Sequence, residues 1–339
     1  MGTRGSALAR AQAAQVAVLL ERRLPGTHVE VCPITVSGDR AAGPSPTAMA
    51  LRAPTDKARW VDAIEDALAA GDVDLAVHSA KDVPTELAPG LTLLGAPARE
   101  DPRDVLCGAS GLDELPPGAR VGTNSVRRAA QLLAVREDLQ VRPLRGNVDT
   151  RLRRLHEGGY EAIVLALAGL RRLGLEGQAG APLDDERFVP AAGQGVLALQ
   201  GRADDERAAR AAAAISDPDA VTALRAERAL VGGLDASCHT PVGAHARLLA
   251  ADELAEGQRA PAGQGRSAGQ GEPAGQGGSA TLTLSAFVGL PDGSAWATDR
   301  LIGPADQPEL LGRRVAERLL SAGAGELLSR ALEMALADG

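Results

Sequence analysis

Aromatic side chains are nearly missing from this 339-residue chain, which has two Trp, one Tyr and two Phe. Its cores must be filled by Ala, Leu and Val, and stacking platforms for nucleic-acid bases are excluded for want of rings. Lysine is as scarce: Lys57 and Lys81 are the only two among 36 basic residues. The three cysteines, Cys32, Cys107 and Cys238, are too few for a disulfide framework and lack metal-ligand spacing, so free thiols and no metal site are expected. No apolar run is long enough to span a bilayer. No charged segment followed by an apolar one opens the chain, so a cytoplasmic protein with no membrane partner is expected.

What the chain has in quantity is arginine, and it is clustered. The net charge is −8, which excludes nucleic-acid binding by the molecule as a whole. Yet residues 120–172 carry eleven arginines against five acids. A basic segment inside an acidic protein points to a pocket for a polyanionic ligand. The length suggests two or three domains.

The chain centres on Val73-Asp74-Leu75-Ala76-Val77-His78-Ser79-Ala80-Lys81-Asp82-Val83-Pro84. Val73, Leu75 and Val77 alternate with Asp74, Ala76 and His78, which predicts a strand. It releases a hydroxyl, an ammonium and a carboxylate at its end, where open α/β sheets bind ligands. Asp82 can serve as a general acid/base or hold a cation, and Lys81 and Ser79 can hold an anion. A solvated turn with a local Lys–Asp pair is the alternative.

Before that strand, Ser6 is placed to cap a helix over Ala7–Arg23, with Arg4 beside its N-terminus. A strand is expected over Val29–Val36, a Pro/Gly-rich mobile loop over Ala41–Thr55, and a helix from near Trp60 to Ala70. After a strand at Leu91–Ala96, the charged run Arg99-Glu100-Asp101-Pro102-Arg103-Asp104 reads as a crossing between domains whose charges pair with one another. A second α/β unit follows. Its strand Arg120–Gly122 leads to the cap-like Thr123-Asn124-Ser125, and its next helix carries Arg127 and Arg128 in the first turn. Cations there oppose the helix dipole, and a bound carboxylate would satisfy them. A strand over Val141–Leu144 ends at Arg145, Arg151 starts the next helix, and the strand Ala162–Ala166 leads to Arg172. Three strand ends thus deliver arginine to one anion pocket. The turn Pro190–Gly195, holding Gln194, returns the chain to the first domain before a strand at Val196–Gln200. A helix from Asp217–Pro218, a loop holding Cys238, and strands at Val242–Leu249, Thr281–Val288 and Trp296–Ile302 come next, then two closing helices over Gln307–Ala322 and Ala324–Ala337. The Gly/Gln-rich stretch 256–279, with its threefold A-G-Q-G, is expected to be a disordered insertion between two strands.

V-H-S-A-K-D-V-P, R-E-D-P-R-D, V-G-T-N-S-V-R-R, L-R-G-N-V-D-T-R-L, A-G-L-R-R-L-G-L, P-A-A-G-Q-G, A-E-R-A-L and C-H-T-P-V-G follow one another in the order seen in porphobilinogen deaminases, also called hydroxymethylbilane synthases. Eight motifs in order are specific, and the resemblance spans Thr3 to about Leu336. It implies an α/β fold: two periplasmic-binding-protein-like α/β domains with a cleft between them plus a small α+β C-terminal domain. The expected boundaries are 1–97 plus 192–214, 98–191, and 217–339. It implies head-to-tail condensation of four porphobilinogens with loss of ammonia on a covalent dipyrromethane, one per chain, then hydrolytic release of hydroxymethylbilane. The resemblance makes Cys238 the thioether anchor of that cofactor and Asp82 the catalytic group. Ammonia loss gives an azafulvene, and pyrrole attack on it puts positive charge on ring nitrogens that a carboxylate can stabilise. Lys81, Thr123, Ser125, Arg127, Arg128 and Arg145 match positions that hold cofactor carboxylates. Arg4, Ser6, Arg151, Arg172 and Gln194 match substrate positions. Porphobilinogen is the expected partner and a monomer the expected state.

The chain departs from the family pattern in three places. Only Met1 and Gly2 precede Thr3, where the family has a first strand. Lys57 and Trp60 stand in a loop end without the family's glycines. The insertion 256–279 has no family counterpart. Two alternatives stand beside the enzyme: a divergent paralogue with reduced activity, and an anion-binding protein with the same arginines, which would need neither Asp82 nor Cys238.

Overall fold

The computed structural model describes residues 1–36, 61–236, 240–249 and 280–337. The loop expected over 41–55, Lys57, Trp60, the anchor candidate Cys238 and the insertion 256–279 lie outside the described residues. Strands β1 (Gly2–Arg4), β2 (Cys32–Ile34), β3 (Ala76–Ser79) and β4 (Leu91–Gly95) form a first sheet. Strands β5 (Asp104–Cys107), β6 (Arg120–Gly122), β7 (Gln140–Arg142) and β8 (Ala162–Ala166) form a second, and β9 (Leu197–Arg202) returns to the first.

The strand orders are β2-β1-β3-β9-β4 and β7-β6-β8-β5. In the first sheet β1 runs parallel to β2 and β3, and β9 is antiparallel to β3 and β4. In the second, β6 runs parallel to β7 and β8, and β5 is antiparallel to β8. Both sheets therefore follow one plan: three parallel strands with the first in the middle, and an antiparallel strand beside the third. In each, that antiparallel strand is reached by chain crossing from the other sheet. The two crossings run side by side, with Glu100 N–H donating to Gly195 O at 3.2 Å.

The parallel strands need crossover helices. These include α1 (Ala7–Arg23) after β1 and α2 (Asp62–Ala70) before β3, with α3 (Val126–Val135) and α4 (Val148–His156) after β6 and β7; α5 (Leu167–Arg172) follows β8 and leads the chain back to the first sheet. Helix α1 starts where expected because Ser6 Oγ accepts Ala9 N–H at 3.3 Å, and Arg22 and Arg23 suit its C-terminal end. Helix α6 (Glu206–Ile215) was not read from the sequence, although Asp205 caps it through Ala208 N–H at 2.9 Å. Helix α7 (Pro218–Gly233) opens with Asp217 as cap and Pro218 in its first turn.

The third sheet is an antiparallel meander of β10 (Val242–Leu249), β11 (Thr281–Gly289) and β12 (Trp296–Pro304). Helices α7 and α8 (Pro308–Ser321) close its core, in which Leu230, Leu282, Leu284, Val288 and Val315 are fully buried, and α9 (Ala324–Ala337) ends the described chain. This sheet leans on the second unit: Ala244 N–H donates to Pro190 O at 2.8 Å, and Phe287 packs with Ala130 and Val189.

Three readings change. The first strand exists as Gly2–Arg4, inside its sheet and not at an edge. The strand expected over Val29–Val36 shortens to Cys32–Ile34, because only those residues find a partner in the three-residue β1. The run 99–104 is not wholly a crossing, since Asp104 begins β5. Among the described residues no helix is long and apolar enough to cross a membrane, and no His/Cys/Asp/Glu cluster fits a metal ion.

Candidate active site

Strand β3 delivers Ser79 into a short 3-10 turn, Ala80–Asp82, which carries Lys81 and Asp82. The turn is held through its backbone. Ala80 N–H donates to Val196 O at 3.0 Å, and Val83 N–H closes the turn on Ala80 O. Gly193 lies flat against it at φ 73°, and a Cβ there would come within 2.8 Å of Ala80 Cβ and 3.0 Å of Lys81 N. Glycine is needed at this contact for both φ and space. On the far side, Arg228 of α7 donates to Pro84 O at 2.7 Å and Thr85 O at 2.9 Å. The Asp82 and Lys81 side chains make no hydrogen bond or ion pair with the described residues. Ser79 Oγ accepts from Gln12 Nε2 at 2.9 Å, so its hydroxyl is already engaged.

Charge converges on this turn from both sheets. Burial pushes the Lys81 amine down to about 8, although Asp82 pulls the other way; Arg128 and Arg127 add to the fall and Asp104 opposes it. Burial likewise lowers Arg151 to about 10, with Arg128 adding to the fall and Asp82 opposing it. Buried His78 is pushed to about 4 by desolvation, against the nearby Gln200 amide and the Asp82 charge, while Arg4 adds to the fall. Asp82 thus has Lys81, His78 and Arg151 in electrostatic reach, and Lys81 has Arg127 and Arg128.

On the second sheet, Thr123 is buried and its Oγ1 accepts Ser125 N–H at 3.1 Å; Ser125 in turn caps α3 by accepting Arg128 N–H at 3.4 Å. Arg127 and Arg128 point inward from that first turn. Arg127 donates to Val189 O (2.7 Å) and Asp104 Oδ2 (2.8 Å), and Arg128 to Val164 O (2.9 Å) and Asp104 Oδ1 (2.8 Å). Burial would raise the Asp104 pKa, but the two arginine charges and their hydrogen bonds outweigh it and hold the carboxyl well below the usual range. The Arg128 Nε is buried with no hydrogen-bond partner among the described residues. Arg151 Nε donates to Gly146 O at 2.7 Å, and Arg145 is exposed after β7.

Arg172 and Gln194 sit at the crossings. Arg172 donates to Gly195 O at 2.6 Å, and burial lowers its pKa to about 10 against the pull of Glu100. Gln194 Nε2 donates to Pro102 O (2.6 Å) and Asp104 Oδ1 (2.8 Å).

The structure therefore brings Arg4, Lys81, Asp82, Arg127, Arg128 and Arg151 into one electrostatic cluster. Ser6, Thr123 and Ser125 stand at helix starts, Arg172 and Gln194 lie in the crossings, and Arg145 is exposed. Sequence reasoning missed Asp104 and Arg228, and gave His78 no role beyond its place in the strand. It also expected the charges of 99–104 to pair among themselves. Arg103–Asp101 does so at 2.6 Å, but Arg99 pairs with fully buried Glu227 of α7, and Glu100 with Arg171.

A donor set of this kind fits a group bearing several carboxylates. A guanidinium plane donates two hydrogen bonds at once to a carboxylate, and the Arg128 Nε has no hydrogen-bond partner among the described residues. Cys107 is fully buried in β5, and that burial raises its thiol to about 11, which makes it a poor nucleophile.

Comparison with known proteins agrees with this reading. The model of the porphobilinogen deaminase dipyrromethane cofactor binding domain matches residues 1–210, and that of the porphobilinogen deaminase C-terminal domain matches residues 221–257. The porphobilinogen deaminase of Roseiflexus castenholzii is 43% identical over 331 residues, covering 97% of this chain and 98% of its own length. That of Thermus thermophilus is 41% identical, with 97% and 98% covered. Among solved structures, a periplasmic substrate-binding protein of an ABC transporter from Coxiella burnetii covers 65% of this chain and 92% of its own at TM-score 0.40 and 16% identity. The architecture above rests on the strand orders and not on that likeness. With one family model over most of its length and relatives matched end to end, the chain belongs to the porphobilinogen deaminase family.

Proposed function

We propose that the cluster around Asp82 is the active site at which this chain condenses porphobilinogen. Full-length membership of the family gives the activity itself, that of a porphobilinogen deaminase, a transferase of tetrapyrrole biosynthesis that works on a dipyrromethane cofactor. The assignment of roles to residues is our own. The observation that carries it is Asp82, a carboxylate without a side-chain partner among the described residues, set between cations from both sheets.

In this reading Asp82 faces the pyrrole nitrogens, stabilises the positive charge that develops on them, and exchanges the ring protons. Lys81, Arg127, Arg128 and Arg145, with Thr123 and Ser125 at the start of α3, hold the cofactor's acetates and propionates. Arg4, Ser6, Arg151, Arg172 and Gln194 hold those of the incoming porphobilinogen. The bound cofactor supplies the terminal pyrrole to which each new ring is joined. The anchor is Cys238, which follows α7 in sequence. That helix is also the one that reaches the Asp82 turn through Arg228 and the crossings through Glu227, which supports an anchor near the site. The three sheets support domains at 1–97 plus 192–214, 98–191 and 217–339, and a cytoplasmic monomer is the simplest state of such an enzyme.

Intact mass measurement tests the anchor. The wild-type chain is expected to carry one covalent dipyrromethane, and Cys238→Ser to carry none and make no bilane, because a hydroxyl is a far weaker nucleophile than a thiolate near neutral pH. Cys32→Ser and Cys107→Ser should keep both cofactor and activity. Cofactor on Cys32 or Cys107 would remove the third unit from this role.

A further inference from the structure

One carboxylate joins elements that the family motifs leave unconnected. Asp104, only 2% exposed, is the first residue of β5 and stands where the outgoing crossing ends. Its Oδ2 accepts Arg127 and its Oδ1 accepts both Arg128 and the Gln194 amide of the returning crossing, all at 2.8 Å. The same amide also holds Pro102 O at 2.6 Å.

We propose that Asp104 is a positioning residue, whose carboxylate fixes the planes of Arg127 and Arg128 for pyrrole-carboxylate binding and locks that pair to both crossings. The inference rests on the reading of those arginines as carboxylate binders. Charge balance supports it. Two guanidiniums and one carboxylate leave one net positive charge, which suits one ligand carboxylate, and Arg128 keeps its Nε free of hydrogen-bond partners among the described residues. Geometry supports it as well. Each guanidinium is pinned at two points, Asp104 and a backbone carbonyl, so neither plane can turn without breaking a buried hydrogen bond. Without Asp104 two like charges would face each other in a buried place.

The test compares full-length Asp104→Asn with wild type and with Asp299→Asn. Asp299 is also a buried carboxylate held by an arginine, Arg318, but it lies in the third sheet. Intact mass gives the fraction of folded chains carrying covalent pyrrole, and steady-state kinetics gives KM and kcat. Asp104→Asn is expected to fold with a lower melting temperature, to load at least threefold fewer chains, and to show a kcat lowered about tenfold with KM near wild type in those that load. Asp104→Glu keeps the charge but moves it by one methylene, and its loading and kcat should shift in the same direction by a smaller factor. It serves as the test if Asp104→Asn does not fold. Asp299→Asn should lose stability while loading fully with a wild-type kcat. Full loading with a wild-type kcat in a folded Asp104 variant overturns the proposal, and so does equally poor loading of Asp299→Asn. A wild-type protein that loads but makes no bilane would instead overturn the function reading, and the loading of the Asp104 variants still decides the proposal.

Discussion

The two α/β sheets follow the same plan but hold their functional groups in opposite ways. On the first, Lys81 and Asp82 are positioned through the backbone: Val196 pairs with the turn, Gly193 packs beneath it, and Arg228 pins the carbonyls behind it. Their side-chain atoms are left without hydrogen bonds to the described residues. On the second, Arg127, Arg128 and Arg151 are positioned through the side chains themselves, each tied to an internal carbonyl or carboxylate. A group that must exchange protons needs its own atoms uncommitted, and backbone support provides that. A group that must only hold a charged ligand works better when its plane is already fixed, because less rotamer freedom is lost on binding.

The hardest test of this contrast is Asp82→Asn, which keeps the shape of the turn and removes the charge. Because no side-chain bond is lost, the variant should melt within a few degrees of wild type and keep its cofactor. Its kcat is expected to fall by about 10²–10⁴, the usual range for a lost acid/base group. A variant that condenses porphobilinogen at near-normal rate would take Asp82 out of the chemistry and erase the contrast.

Arg228→Met addresses the backbone support directly. It removes three hydrogen bonds to carbonyls of Val83, Pro84 and Thr85 while keeping much of the apolar stem. A small displacement of the turn should cost roughly ten- to a hundredfold in kcat, with KM little changed, since the arginines of the second sheet are untouched. An equal rise in KM with kcat preserved would mean that the turn is not what Arg228 positions.

Much of the first sheet's side of the site was legible in the sequence because its chemistry is local. His78, Lys81 and Asp82 lie within five residues, and the alternation of Val73–His78 announced the strand that delivers them. The same holds for Ser6 and Ser125, whose caps are set by residues three positions away. What the sequence hid depends on distant partners. Asp104 read as one more charge in a charged crossing, because its partners lie 23, 24 and 90 residues on. Arg228 stands within a helix, 144 residues from the carbonyl of Pro84 that it holds. Strand β5 was obscured for the same reason: its first residue is an acid that can be buried only because two arginines meet it.

Lys81 offers a finer test, since its amine is the one cation of the cluster that titrates near neutrality. It is charged below about pH 8 and increasingly neutral above. If it holds a cofactor carboxylate, the terminal pyrrole loses that hold as pH rises through this value, and loss of one charge-assisted bond is worth about 1.5–3 kcal/mol. The kcat should therefore fall at least about tenfold between pH 7 and pH 9.5, with KM for porphobilinogen little changed. In Lys81→Arg the charge persists across this range and the fall should be much smaller. Parallel kcat profiles for the two proteins would assign the titration to another group.

His78 should show the smallest effect on catalysis and a clear one on stability. It lies on β3 beneath the turn, 5% exposed, and its Nε2 finds no hydrogen-bond partner among the described residues. Burial keeps it neutral in the fold down to about pH 4, whereas in the unfolded chain it takes up a proton near its ordinary value of 6.5. Between those values the unfolded state binds more protons than the fold, so stability must fall as pH drops from 6.5 to 4. The full contribution comes to about 3 kcal/mol. His78→Gln removes the titration without adding charge. At pH 7 it should cost some stability through altered packing, and kcat should stay within about threefold of wild type, well short of the loss expected for a proton-exchanging group. As pH falls, its urea midpoint should decline less steeply than that of wild type, so the two curves converge. Curves that stay parallel from pH 7 to pH 4 would show that His78 is not held neutral. The imidazole would then be a second charge beside Asp82, and the first sheet would no longer present a carboxylate whose nearest basic neighbour in the strand is uncharged.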